Sequence, residues 1–123
     1  MDVEEYRDYC MNKNGATEGF PFDETTLVFK VGGKIFAFID IYDRAINLKC
    51  DPAKAVSLRE QYSSVQPGYH MNKTHWNTVH LDLVSDQLIC EWTDHSYDLV
   101  FARLPDKIKA GLLKKHKSFN KMY

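Results

Sequence analysis

Cysteine is scarce in this chain, and its pattern argues against cross-linking. Cys10, Cys50 and Cys90 are odd in number, widely spaced and without a CxxC pair, which suits small apolar packing residues in a reducing cytosol. No apolar run approaches the ~20 residues of a membrane span. The acidic start Met1-Asp2-Val3-Glu4-Glu5 lacks the basic region and apolar core of a secretory signal. A soluble, unprocessed, cytoplasmic protein is therefore expected. Bulk positive charge is also missing: the formal net charge is −1, which excludes a wholly basic nucleic-acid binder.

Chemical signatures are equally sparse. No G-x-S-x-G elbow occurs, no cysteine sits in a recognisable nucleophile setting, and Gly32-Gly33 lacks the following helix and lysine of a phosphate loop. His70, His75 and His80 stand five apart, a spacing that sends successive members of an alternating strand to opposite faces and makes a poor zinc signature. The expectation is no metal, no cofactor and no catalytic residues. Repeats, low-complexity tracts and linkers able to divide the chain are absent too.

What is present is a 123-residue chain, a length that suits one domain able to bury about two-thirds of its unfolded surface. Its charge is segregated in blocks. Residues 1 to 26 hold 7 acids and 2 bases, residues 30 to 80 hold 7 bases and 4 acids, residues 81 to 102 hold 5 acids and no base, and residues 103 to 123 hold 7 bases against Asp106 alone.

Periodicity supplies the elements. Asp2 with Glu5 forms a capping box before a helix whose Val3, Tyr6 and Cys10 share a face, and Asn14-Gly15 ends it. Residues 16 to 24 read as a loop pinned by Phe20 and Phe22. Thr25 to Val31 and Lys34 to Ile41 flank Gly32-Gly33, a two-residue hairpin turn. Ala45 to Cys50 alternates as a third strand with one dry and one wet face.

Asp51-Pro52 starts a second helix running to about Tyr62. Val65 leads into a second hairpin-like unit, whose return strand alternates through Val79, Leu81 and Leu83. Ser85 or Asp86 caps a third helix, with Glu91, Asp94 and Asp98 on a solvated face, and Pro105 separates it from a last helix over Asp106 to Lys117. Phe119 and Tyr123 tether the tail, and His95 and His116 are expected at the surface. The result is a single α+β domain, residues 1 to 123, with an antiparallel sheet packed with helices.

Residues 67 to 78 carry the chemistry. Pro-Gly-Tyr-His-Met-Asn-Lys-Thr-His-Trp-Asn-Thr is too polar for core, and its cationic, amide and aromatic groups either contact phosphates, bases or a small anion or satisfy nearby backbone groups while Trp76 caps the core. Lys73 can neutralise phosphate together with the strand lysines Lys30, Lys34 and Lys49. Asn72 and Asn77 can pair with base edges, and Tyr69 or Trp76 can stack. His70 and His75 add sugar or base contacts. The same groups could instead close a pocket over a small anionic ligand, or centre an acid/base site on His70 or His75 with Asn72, Lys73 and Asn77 orienting an anionic substrate. A third reading is a protein-interaction module using the basic C-terminal helix.

Several long motifs match one family. Ala16-Thr17-Glu18 with Phe20-Pro21-Phe22, Phe29-Lys30-Val31 with Gly33-Lys34-Ile35-Phe36-Ala37, and Leu48-Lys49-Cys50-Asp51-Pro52 are followed by Leu58-Arg59. Pro67-Gly68-Tyr69-His70-Met71-Asn72-Lys73, His75-Trp76-Asn77-Thr78-Val79, Ser96-Tyr97 with Leu99-Val100, and Leu104-Pro105 complete the series. Over nearly its whole length the chain resembles the MmcQ/YjbR family of small bacterial proteins. The resemblance implies a compact α+β fold of the double-wing type and, from that shape, DNA binding; it carries no catalytic residue or cofactor. Asp106 departs from the pattern, standing where relatives commonly have a basic residue. The expected protein is thus a monomeric DNA binder whose sheet and 67 to 78 loop form one basic-leaning surface.

Overall fold

A computed structural model describes residues 1–68 and 71–121, with side chains as far as Lys114 in the last helix. The chain opens with α1 (Val3–Met11), whose capping box is formed: the Asp2 carboxylate accepts from the Glu5 amide at 2.8 Å, and the Glu5 carboxylate accepts from the Asp2 amide at 3.2 Å. Tyr6 and Cys10, one turn apart, are its buried residues. Gly15, at φ +74°, ends the turn beyond it, in a position where a Cβ would lie 2.5 Å from Leu112. The positive φ strains any residue with a side chain there, which favours glycine.

Strands β1 (Ala16–Gly19), β2 (Thr26–Val31), β3 (Lys34–Asp40) and β4 (Ala45–Lys49) follow. After them come α2 (Pro52–Gln61), β5 (Val65–Pro67), β6 (Trp76–His80), a short 3-10 turn (Leu81–Leu83), α3 (Asp86–Ala102) and α4 (Asp106–Lys121). The six strands form one antiparallel sheet in the order β1-β2-β3-β4-β6-β5. Gly32 and Gly33 take φ of +56° and +80°, as a tight hairpin between right-twisted strands requires. A register shift between Phe29 and Lys30 marks a bulge next to that turn.

Alternation then assigns the faces. Leu27, Phe29, Ile39, Ile46, Leu48 and Val79 point to one side, where Tyr6 of α1 and Ile89, Trp92 and Val100 of α3 close the main core. The buried positions of α3, Ile89, Trp92, Thr93, Ser96 and Val100, recur at the spacing of a single helical face. The opposite face of the sheet holds a second, smaller cluster of Val28, Phe38 and Trp76, with Ile35 and Met71 against it. Among the described residues no helix is long and apolar enough to cross a membrane.

Four details differ from the sequence reading. Residues 16–19 form a strand, not a loop: β1 is a short edge with exposed Thr17 and Glu18, held by its ladder to β2 and by the Arg7–Glu18 ion pair. Phe20 and Phe22 are 51% and 62% exposed, so neither pins a loop to the core. The return strand stops at His80. There the imidazole Nδ1 accepts from the Asp82 amide at 3.2 Å while Arg44 clamps the Asp82 carboxylate at 2.8 and 3.0 Å, which turns the chain and leaves Leu83 66% exposed. Asp94 is not simply solvated, because Tyr9 and Lys13 both donate to it. The tethers expected at Phe119 and Tyr123, and the surface position expected of His116, lie outside the described side chains.

Ser96 ties the layers together. Its hydroxyl donates to the Phe36 carbonyl and accepts from the Lys49 amide at 2.8 Å, so one buried oxygen serves two strands at the place where the bulge breaks the ladder. Ser96→Ala leaves both backbone groups unpaired, a loss of about 2 kcal/mol. The expected reading is a urea midpoint lowered by about 1 M, for an m value of about 2 kcal/mol/M that itself stays unchanged.

Candidate functional site

The polar segment from Pro67 to Thr78 divides in two once strand alternation is applied. Tyr69 and His70 lie outside the described residues. Asn72, Lys73 and Thr74 are exposed and form a tight turn: the Asn72 side chain accepts from the Thr74 amide at 2.8 Å, and its carbonyl accepts from the His75 amide at 3.1 Å. The His75 carbonyl in turn accepts from the Cys50 amide at 2.7 Å.

From Trp76 onward the chain is strand, which corrects two expected contacts. Trp76 is 6% exposed and packs on Phe38 with ring centroids 6.1 Å apart. Gly68 crosses so close to it that a Cβ there would lie 2.8 Å from the Trp76 Cβ. Asn77 is 2% exposed, accepting from Arg59 at 2.7 Å and donating to the Ala55 carbonyl at 3.3 Å. An indole sealed in this way cannot stack on a base, and an amide satisfied at both ends cannot read one. Both hold the tip in place instead.

The lysines share one end of the sheet but not one face: Lys30 and Lys49 stand across from residues of the open-face cluster, whereas Lys34 stands across from Val31 of the main core. Lys30 stands opposite Ile35, Lys34 opposite Val31, and Lys49 opposite Trp76. Because Ala37 pairs with Leu48, Lys49 falls one step nearer the Gly32-Gly33 turn, at the same end of the sheet as the other two. Lys30 and Lys49 are two strand spacings apart, about 10 Å. Arg103 joins them: it follows α3 directly, and the next residue, Leu104, packs against Gly32, where a Cβ would be 2.7 Å away.

Burial, with the Arg103 guanidinium adding to it, pulls the Lys49 ammonium below its ordinary range. Among the described residues Lys30, Lys34, Lys49 and Arg103 have no carboxylate partner, whereas Arg7, Lys13, Arg44 and Lys109 are each paired. Sequence reasoning missed Arg103. Its position after a helix carries no signal of proximity, and only the packing of Leu104 brings it to the sheet.

The open sheet face, which carries Lys30 and Lys49 at the hairpin end, is acidic at its other end. A cavity of about 520 Å³ opens there among Asp23, Asp40, Asp43, Phe22, Phe38 and Met71. The expected single basic-leaning surface is thus divided into a basic end, an apolar middle and an acidic end. This cavity carries the wrong sign for an anionic ligand.

Groups suited to covalent or proton chemistry are subdued. Burial pushes the Cys10 thiol up to about 12 and raises Cys50 and Cys90 as well, which disfavours thiolate. His95 is partly buried, not simply at the surface: its Nε2 accepts from the Asp51 amide at 3.3 Å, and burial lowers its pKa. Among the described residues no three His, Cys, Asp or Glu side chains come together as a metal cage.

Comparison with known proteins agrees with this architecture. Residues 11–99 match the YjbR family model, and the protein YjbR of Escherichia coli K12 is 37% identical over 110 residues, covering 87% of this chain and 93% of that protein. The chain belongs to the YjbR family. A second relative, YbdF of Escherichia coli O157:H7, is 40% identical over 84 residues, 66% of this chain and 69% of its own length. Among solved structures, a Deinococcus radiodurans protein with the family domain DUF419 superposes at a TM-score of 0.84 with 38% identity, over 90% of this chain and 87% of that one. A Pseudomonas syringae protein superposes at 0.70 with 26% identity, over 81% and 99%.

The crowding of cations at the hairpin end of this YjbR-family sheet is directly measurable. Lys49 should titrate below the ordinary lysine range when its side-chain carbons are followed by NMR against pH, because burial and then Arg103 disfavour its charged form. Arg103→Gln should move it upward. A Lys49 that does not respond to Arg103→Gln would contradict the crowding.

Proposed function

We propose that this YjbR-family protein binds the phosphate backbone of duplex DNA with the hairpin end of its sheet. One observation carries the reading: Lys30, Lys34, Lys49 and Arg103 collect at one end without a carboxylate partner among the described residues, close enough for Arg103 to lower the Lys49 pKa. Unpaired like charges repel one another in the free protein, and a polyanion that neutralises them relieves this while releasing counterions.

Asn72, Lys73 and His75 lead directly into Trp76, which pairs with Lys49. In this reading they add sugar or base contacts beside that end. Trp76 and Asn77 act as supports in this reading, and the role expected of Tyr69 and His70 falls outside the described residues. The activity is one of binding without catalysis, in the cytoplasm, by a monomer.

Fluorescence polarisation of a labelled duplex between 50 and 200 mM salt tests it. Three or four phosphate contacts predict a log-log slope of about −3. Lys30→Gln and Lys49→Gln should each make the slope shallower by about 1, uniformly across duplex sequences. A flat salt response, or no binding at 50 mM salt, removes this role.

A further inference from the structure

The acidic end of the open sheet face holds a cavity that backbone binding does not use. Its volume of about 520 Å³ lies within the range of small-molecule sites. Three carboxylates line it. Asp23 accepts from the Thr25 and Thr26 amides at 2.9 and 2.8 Å, and these bonds, with those from the two threonine hydroxyls, hold its carboxyl below the usual range and therefore charged. Asp40 uses one oxygen to cap the β3–β4 turn, accepting from Tyr42 and Asp43 amides at 3.0 Å each. The Asp43 carboxylate accepts no hydrogen bond among the described residues. None of the three has a Lys or Arg partner among those residues, since Arg44 is committed to Asp82.

The floor supplies a second and independent sign. Asn47 is 4% exposed and lines the cavity. One end of its amide is taken by the Thr78 hydroxyl at 2.6 Å, and the other end has no partner among the described residues. No fully enclosed side-chain nitrogen or oxygen is left without a partner there, so that free end opens into the cavity. A ligand group that accepts from this nitrogen takes the place of the water that reaches it. Above it, Phe22 stands 62% exposed at the rim, offering an aromatic face, with Phe38 and Met71 as apolar wall.

We infer that this cavity is a binding site for a small organic ammonium ion with an apolar body. The carboxylates take the charge, Phe22 contributes a cation–π contact, the apolar wall covers the body, and Asn47 hydrogen-bonds a polar substituent. The site is separate from the proposed DNA surface, at the opposite end of the strands, and stands without it.

An NMR titration of the whole chain tests the assignment, following the Asn47 side-chain amide and the Thr78 backbone amide. The probes are phenethylamine, tyramine and cyclohexylmethylamine, each set against carboxylates of matching size, phenylacetate and cyclohexanecarboxylate. The amines should produce saturable shifts at both reporters, and the carboxylates none. Asp43→Asn, which removes no hydrogen bond of the fold, should weaken tyramine about fivefold, the effect of deleting one exposed charge contact. Phe22→Ala should weaken it about threefold. The salt slope on duplex DNA should be the same in both variants as in the parent. Equal response to amines and carboxylates, unchanged affinity in Asp43→Asn, or silence from every amine would overturn the site.

Discussion

The structure depends on one constraint: an antiparallel sheet with helices on one face only. Side chains alternate strictly along each strand, so every residue not turned toward α1 and α3 must be accommodated on a face that no helix covers. Two solutions coexist on that face. In the middle, Val28, Phe38 and Trp76 bury one another with Met71 beside them, a small core made by the sheet and the loop leading into β6. Toward either end the outward residues are charged or polar, and the strand register that positions them leaves cations at the hairpin end and carboxylates at the other.

This explains which parts of the molecule were legible from residues alone. The capping box at Asp2, the Gly32-Gly33 hairpin and the Asp51-Pro52 helix start announce themselves through local chemistry that tertiary packing has no reason to override, and each is present. The edge strand β1 was not legible, because a four-residue edge with polar outward positions shows no period and owes its form to the neighbouring strand. Leu83 kept the alternation of a strand in sequence, yet Arg44 and His80 turn the chain at Asp82 from outside the pattern.

The candidate site shows the same division at finer grain. The polarity of residues 67 to 78 singles out this segment, but polarity does not reveal where the strand begins. Trp76 and Asn77 belong to β6, so one is sealed against Phe38 and the other against α2. Lys30, Lys34 and Lys49 could be foreseen at one end of the sheet because strand register is nearly readable from the hairpin, and the same register turns Lys34 to the other face. Arg103 and the Asp23, Asp40 and Asp43 cavity could not, since each depends on a meeting of distant segments. The exposed Phe22 went unrecognised for a related reason: aromatic residues usually indicate burial, and only the coordinates place this one on a rim.

The opposed charges at the two ends bear on each other less than their equal prominence suggests. From Lys34 to Asp40 the strand β3 has seven residues, about 20 Å at the rise of an antiparallel strand. Lys30 and Lys49 stand nearer, four residues along their strands from Thr26 and Ala45, the partners of Asp40, or about 14 Å. Both spans exceed the screening length of about 8 Å at physiological salt, so the two ends couple only weakly there. At low salt the screening length grows toward 30 Å, and the two ends begin to interact through solvent and across the sheet. The charge segregation therefore gives one small domain two weakly coupled surfaces of opposite sign, and the net charge of −1 conceals both.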